Sequence, residues 1–233
     1  KSSMNKETIL NKKRIIIETN SDADESVFHE IFTEREYQSV DNEIKNAKST
    51  IIDIGAHIGV FSIYAHALNP TVKILAFEPE ERNYQLLKKN LKANNATNVI
   101  PKNIAIAAQE GQKILHISED SHNHSLDINA KNIISSKKVQ AASLDKILEK
   151  MTKVDLIKMD CEGAEFEILA SMSRESFSKI NYFAIEYHEY SEENNADILK
   201  KILEHNGFKV QKNKSKYDKR MGFIKAIRYT ANQ

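Results

Sequence analysis

The sequence predicts an α/β fold: a mostly parallel sheet with helices on both faces and an antiparallel strand at the C-terminal end. Three observations carry that expectation. Short apolar runs alternate with segments of helical period from residue 50 onward. Two of those runs end in an acidic residue beside a turn, at Asp53 and Glu78. The last two β-prone runs follow one another with no helix between them, so they should pair antiparallel.

Taken in order, Arg14 to Glu18 is a short β-prone run, and Glu25 to Val40 has helical spacing through Val27, Phe28, Ile31 and Phe32. These make residues 1–49 an N-terminal appendage to one domain spanning 50–233. The core then reads Thr50 to Ile54 as a strand, Val60 to Leu68 as a helix, Lys73 to Phe77 as a strand and Glu81 to Asn94 as a helix. Val99 to Ile106 is a further β run, followed by a helix near Leu144 to Lys150, a strand at Val154 to Met159 and a helix from Ala164 to Met172. Tyr182 to Tyr187 reads as a strand and Glu192 to Asn206 as the final helix, with Phe208 to Gln211 and Phe223 to Tyr229 as the closing strands. Lys113 to Val139 breaks the alternation with short β-prone pieces and the polar run S-H-N-H-S-L-D at 121–127. A binding loop and a plain surface insertion both fit it; in the first case His122, His124 and Ser125 approach an acceptor.

Composition narrows the class. Lys and Arg number 34 against 33 Asp and Glu, so the chain lacks the basic excess of a protein built to grip duplex nucleic acid. The single Cys161 forms no internal disulfide. The longest apolar candidate, Ile51 to Leu68, is interrupted by Asp53, His57 and His66, so no membrane span is expected. No secretory pattern opens the chain, and a reducing, cytoplasmic setting is the expectation; Lys1-Ser-Ser ahead of Met4 leaves the native start open.

The run Ile51 to Ser62 combines a strand end carrying Asp53, glycines at 55 and 59, and an immediate helix start. A ligand there meets free backbone N–H groups and a carboxylate together. The pattern G-x-x-x-G lacks the middle glycine of a dinucleotide fingerprint and the Gly-Lys-Ser/Thr of a phosphate loop, which weakens the case for NAD and nucleoside triphosphates. Glu78 lies 19 positions beyond Gly59, close to the about 20 typical of an acid that holds two ribose hydroxyls. Pro79 is placed to open the next helix.

The strings D-I-G-A-H-I-G from Asp53, F-E-P from Phe77 and L-I-K-M-D-C-E-G-A-E-F-E-I-L from Leu156 resemble the FkbM-type family of S-adenosylmethionine-dependent methyltransferases, over roughly Ile51 to Phe208. The resemblance implies a Rossmann-like class I methyltransferase sheet of seven strands and O-methylation as the typical activity. It also implies S-adenosylmethionine as cofactor, with Asp53, Gly55 and Gly59 around its methionine end and Glu78, beside Pro79, on its ribose. Asn103 to Ala105 corresponds to the segment lining the adenine, although an Asn capping a turn reads equally. His57 stands where the family more often has Asn, and it retains a hydrogen-bond donor.

The acceptor chemistry is expected beyond the later strands, since ligands gather outside the carboxyl ends of a parallel sheet. If extended geometry persists through Glu162, Asp160 and Glu162 point to one side, and Glu186 and His188 likewise share a face. Methyl transfer to an alcohol needs a base; His188 is the first choice, with a pKa suited to neutral pH, and Asp160 the second. Plainer readings stand beside these. Asp160 binds the cofactor's amino group or caps a helix, Glu162 and Glu165 satisfy a helix dipole, Glu186 and His188 form a buried pair, and Cys161 fills space. The same cluster contains ligand types for Mg²⁺, Mn²⁺ or Zn²⁺, but no spacing is diagnostic and no metal is expected. Tyr37 is either a lid over the cofactor or a packing contact, and the basic run 212–220 either meets an anionic partner or is a solvated hairpin loop. The leading reading is methylation of a hydroxyl on a small molecule or glycan. An RNA methyltransferase and a non-catalytic nucleoside-binding protein are the alternatives, and oligomeric state leaves no signal.

Overall fold

The computed structural model describes residues 3–118, 125–126, 133–189, 195–215, 218 and 220–229, so His122, His124 and Tyr217 lie outside the described residues. The chain opens with an antiparallel hairpin of β1 (Met4–Leu10) and β2 (Lys13–Thr19), turning through Asn11 and Lys12, both at positive φ. β1 escaped the sequence reading because only Leu10 of its seven residues is buried, leaving no apolar alternation to find. Helix α1 (Asp22–Phe32) starts at Ser21, whose hydroxyl accepts the Asp24 N–H while the Asp24 carboxylate accepts the Ser21 N–H.

The expected helix from Glu25 to Val40 is interrupted. Arg35 adopts a left-handed φ of 58°, so the chain ends α1, makes a 3₁₀ turn at Glu36–Val40 and restarts as α2 (Asp41–Asn46).

The main sheet begins with β3 (Thr50–Ile54), followed by α3 (Val60–Leu68), β4 (Lys73–Phe77), α4 (Glu81–Ala93) and β5 (Val99–Lys102). The run expected to continue to Ile106 breaks at Asn103, and β6 (Ala105–Ile106) leaves for a second sheet with β7 (Gly111–Ser118) and β8 (Ile133–Ala142). Then come α5 (Leu144–Leu148), β9 (Val154–Met159), α6 (Glu165–Ser171), α7 (Arg174–Ser178), β10 (Ile180–His188), α8 (Ala196–His205), β11 (Phe208–Lys214) and β12 (Met221–Arg228). The expected helix 164–172 is shorter, and α7, capped by Ser173, follows it as a separate turn.

Seven strands lie in the order β11-β12-β10-β9-β3-β4-β5. Only β12 runs against the rest, pairing antiparallel with β10 and with β11 as the two closing strands were expected to do. Strand alternation splits the interior in two: Ile51, Ile74 and Leu156 face one core, and Ile52, Leu75 and Ile157 face the other. Both faces are therefore covered, which is why these strands read as unbroken apolar runs. The first core also takes Leu10, Ile15, Ile17, Ile31, Tyr37, Val40 and Ile44, so residues 1–49 complete a core they were expected only to adjoin. Asn94 and Asn90 of α4 reinforce this, accepting the Ile16 and Glu18 N–H groups of β2 at 2.9 and 2.8 Å.

The open edges of the main sheet are β5, which contains Pro101, and β11, which contains Lys209, Lys212 and Lys214. Among the described residues no helix is long and apolar enough to cross a membrane.

Pro79 does not open α4. Glu80 caps it, its carboxylate accepting the Arg82 and Asn83 N–H groups at 2.6 and 2.9 Å and pairing with Lys137 at 2.9 Å. Glu80→Ala is expected to lower stability by about 1 kcal/mol, read as a shift in urea midpoint at unchanged slope.

Candidate active site

The carboxyl ends of β3, β4, β9 and β10 face a single cleft with about 920 Å³ of empty space, its open mouth included. Gly55, His57, Glu78, Pro79, Ala105, Asp160, Glu162 and Glu186 line it. Asp53, Gly59, Asn103 and His188 are not among its lining residues.

At the β3 end, Gly55 has φ 73°, and a Cβ there would overlap the carbonyl oxygen of Asp160. Glycine is thus required where the ends of β3 and β9 approach most closely. Gly59 caps α3 at φ 91°, and an added Cβ would come within 2.5 Å of Leu87 Cδ1; this glycine serves the packing of α4. The Glu78 carboxylate is buried, and its two oxygens accept the backbone N–H groups of His57 and Glu80, each at 2.8 Å. Burial outweighs those hydrogen bonds and pushes its pKa up to about 7. The His57 side chain turns away to place Nε2 3.3 Å from Asp24 Oδ1, tying the turn to α1. Asn103 donates to the carbonyls of Glu78 and Pro79 at 3.0 and 3.2 Å, so it caps the turn after β4.

Behind the turn sits Lys158, a residue the sequence reading passed over. Its side chain is 4% exposed, and Nζ lies 3.3 Å from Asp53 Oδ1 and 3.8 Å from Asp160 Oδ2 while donating to the Gly55 carbonyl at 2.8 Å. Burial lowers the pKa of this ammonium, but Asp53 and Asp160 more than offset it and hold it raised. Asp53 is fully buried and accepts the Ser62 hydroxyl at 2.7 Å, so it anchors Lys158 and α3. The signal was present: a charged residue between Ile157 and Met159 in a central strand demands a partner.

The extended geometry assumed through Glu162 fails, because Glu162 adopts φ 52° and the chain turns into α6. Glu165 clamps that turn, its two oxygens accepting the N–H groups of Cys161 at 2.7 Å and Gly163 at 2.9 Å. His188 is buried between Glu162 Oε1, 3.6 Å from Nε2, and Glu165 Oε1, 3.8 Å from Nδ1. Burial alone would lower its pKa, yet these carboxylates raise it well above the ordinary value. His188 is not among the residues lining the cleft, a placement that runs against the expected base role. Burial pushes the Cys161 thiol up as well, and its side chain lines the cleft while packing against the second core.

Asp160, Glu165 and His188 bring donor atoms within 4.8 Å of one another, with both Glu165 oxygens already held by backbone. Glu36 was hidden by the misread helix; it lines the cleft from the 3₁₀ turn. Although the residue as a whole is exposed, loss of water around its carboxyl and the neighbouring Glu30 and Asp160 push its pKa up to about 7. Glu186 is raised well above the usual carboxylate range by burial, then by Asp160 and Glu36. Tyr37 lines the same wall and packs on Phe61 and Phe223, with ring centroids 4.8 and 5.4 Å apart, so packing and cleft contact are joined in one residue. In the basic run, Lys212 pairs with Asp197 and Arg220 with Asp218.

A family model described as the methyltransferase FkbM domain matches residues 53–210. The chain is 26% identical over 225 residues to methyltransferase sdnD of Sordaria araneosa, covering 82% of this chain and 84% of that protein. It is 36% identical over 64 residues to 31-O-demethyl-FK506 methyltransferase FkbM of Streptomyces tacrolimicus, covering 28% of this chain and 24% of that one. Among solved structures, magnesium protoporphyrin IX methyltransferase of Synechocystis, with bound S-adenosylmethionine, shares the fold at a TM-score of 0.53 and 11% identity, covering 91% of this chain and 86% of that one.

Proposed function

This chain belongs to the FkbM methyltransferase family, and on that premise we propose that it uses S-adenosylmethionine to methylate a hydroxyl group of a small molecule or glycan. One observation carries the cofactor half of this reading: the Glu78 carboxylate, fixed by two backbone N–H groups, lines the cleft at the end of the second core strand. Its remaining lone pairs suit two vicinal hydroxyls. Phe77, Ala105, Ile106 and Leu115 add apolar wall for a flat base, and the turn at Gly55 presents backbone to a polar tail. The residues present therefore fit the cofactor.

When bound, S-adenosylmethionine supplies a methyl group on a sulfonium: the new bond is O–CH₃, the C–S pair stays on sulfur, and the hydroxyl proton needs a base. Glu36, Asp160 and Glu186 take the base role in place of His188. Glu36, pushed up to about 7, lines the cleft and matches a base working near neutral pH, and Glu186 lines the same cleft. Lys158 holds Asp160 in place from behind, and Glu162 and Glu165 hold the His188 ring between them, away from the cleft lining. The O-methyl assignment draws on the similarity to the Streptomyces 31-O-demethyl-FK506 methyltransferase.

The test is calorimetric titration with S-adenosylmethionine and S-adenosylhomocysteine, with NAD as comparison. Selective binding of the first two supports the reading; selective NAD binding overturns it. A pH dependence follows from Glu78. Its folded pKa of about 7 means the carboxyl loses its proton as pH rises through that value, turning both oxygens into acceptors. Affinity for S-adenosylhomocysteine is therefore expected to increase from pH 6 to pH 8, by roughly tenfold if one charged hydrogen bond is gained; a flat profile removes Glu78 from the cofactor contact.

A further inference from the structure

Resting on the methyltransferase reading above, we propose that the acceptor carries a positive charge: a hydroxylated amine or a comparable organic cation, seated among α1, the 3₁₀ turn and the end of β10. The cleft wall presents Glu30, Glu36, Glu78, Asp160, Glu162 and Glu186, and among the described residues its basic side chains are Lys158 and His57. Lys158 is engaged by Asp53 and Asp160, His57 faces Asp24, and Glu162 faces His188. Glu30, Glu36 and Glu186 form no ion pair among the described residues; Glu30 accepts only the Ser26 hydroxyl, at 2.8 Å.

S-adenosylmethionine has a sulfonium and an ammonium against one carboxylate, a single net positive charge. It leaves the carboxylates at the mouth unmatched. Carboxyls crowded in a partly dry cleft hold on to their protons, as Glu36 and Glu186 do, and a bound cation favours the ionised form of all of them at once. Val27, Ile31, Tyr37 and Phe61 make the same wall apolar as well as acidic, which suits an organic ammonium better than a hydrated metal ion. The same charges repel polyphosphate, so an RNA acceptor is disfavoured despite the basic run at 212–220.

The experiment uses matched probes on the full chain saturated with S-adenosylhomocysteine: glucosamine, glucose and glucuronate, and tyramine, 4-ethylphenol and 4-hydroxyphenylpropionate. Ligand-observed NMR at low salt reads binding, and methyl transfer from S-adenosylmethionine to the same probes reads turnover. The amine of at least one scaffold is expected to bind at least tenfold more tightly than its neutral partner and more tightly still than its acid. Glu30→Gln and Glu36→Gln should each narrow that gap. Equal or weaker binding of the amine in both scaffolds, silence from all six probes included, overturns the proposal. Calorimetry with S-adenosylhomocysteine on the same preparation separates this failure from that of the methyltransferase reading, because cofactor binding does not depend on which acceptor fits.

Discussion

Lys158→Met is expected to cost about 3–5 kcal/mol of stability, the range for leaving a buried charge without its partner. Asp53 is fully buried, and its Oδ1 faces Lys158 Nζ at 3.3 Å. Removing the ammonium strands that carboxylate in the middle of the sheet and leaves the Gly55 carbonyl without its 2.8 Å donor. In a chain of 233 residues, 1 kcal/mol moves the melting temperature by about 2–4 °C, so a fall of roughly 6–20 °C is anticipated. The folded pKa of Lys158 is raised, so its contribution is complete below the unfolded value of 10.5 and is lost only as pH climbs through the higher folded value. The deficit should therefore be constant from pH 6 to 9. Asp53→Asn in the Lys158→Met background should recover part of it, because the stranded charge is then gone. A single-variant loss below about 1 kcal/mol would show that the pair is not what holds β3 to β9.

Glu78→Ala is expected to weaken S-adenosylhomocysteine binding by about ten- to a hundredfold, since a hydrogen bond to a charged group contributes roughly 1.5–3 kcal/mol. Stability should change much less. The His57 and Glu80 N–H groups lose their acceptor, but the variant also removes a carboxyl whose burial already pushes its pKa up to about 7. Glu78→Gln keeps one acceptor oxygen and should fall between the two. Calorimetry and a thermal melt on the same samples separate the effects. Unchanged affinity in the alanine variant would remove Glu78 from the site.

The strand-turn-helix units at β3–α3 and β4–α4 were legible because burial on both faces leaves plain apolar runs, punctuated by Gly55, Gly59 and Glu78. The antiparallel pairing of the closing strands was legible because residues 212–222 between them are polar and basic and carry no helical period for a crossover helix. What escaped depended on single backbone angles. Arg35 at φ 58° ends one helix and presents Glu36 to the cleft, and nothing in a run of helical spacing marks that residue as left-handed. Asn103 divides a β-prone run because its side chain finds the carbonyls of Glu78 and Pro79, a long-range choice no local pattern records. The setting of His188 was not legible. Its sequence neighbours say nothing of Glu162 and Glu165, which arrive from another strand end and flank its ring. Lys158 was readable and was missed.

The two open edges of the seven-stranded sheet govern how this protein behaves in a crowd. An unpaired strand is a template on which a second copy can add its own, and unchecked addition ends in aggregates. At one end Pro101 withholds an N–H from any incoming strand; at the other, Lys209, Lys212 and Lys214 would bring like charges together if two such edges met. Both margins of the described sheet thus carry residues that discourage edge-to-edge pairing between copies.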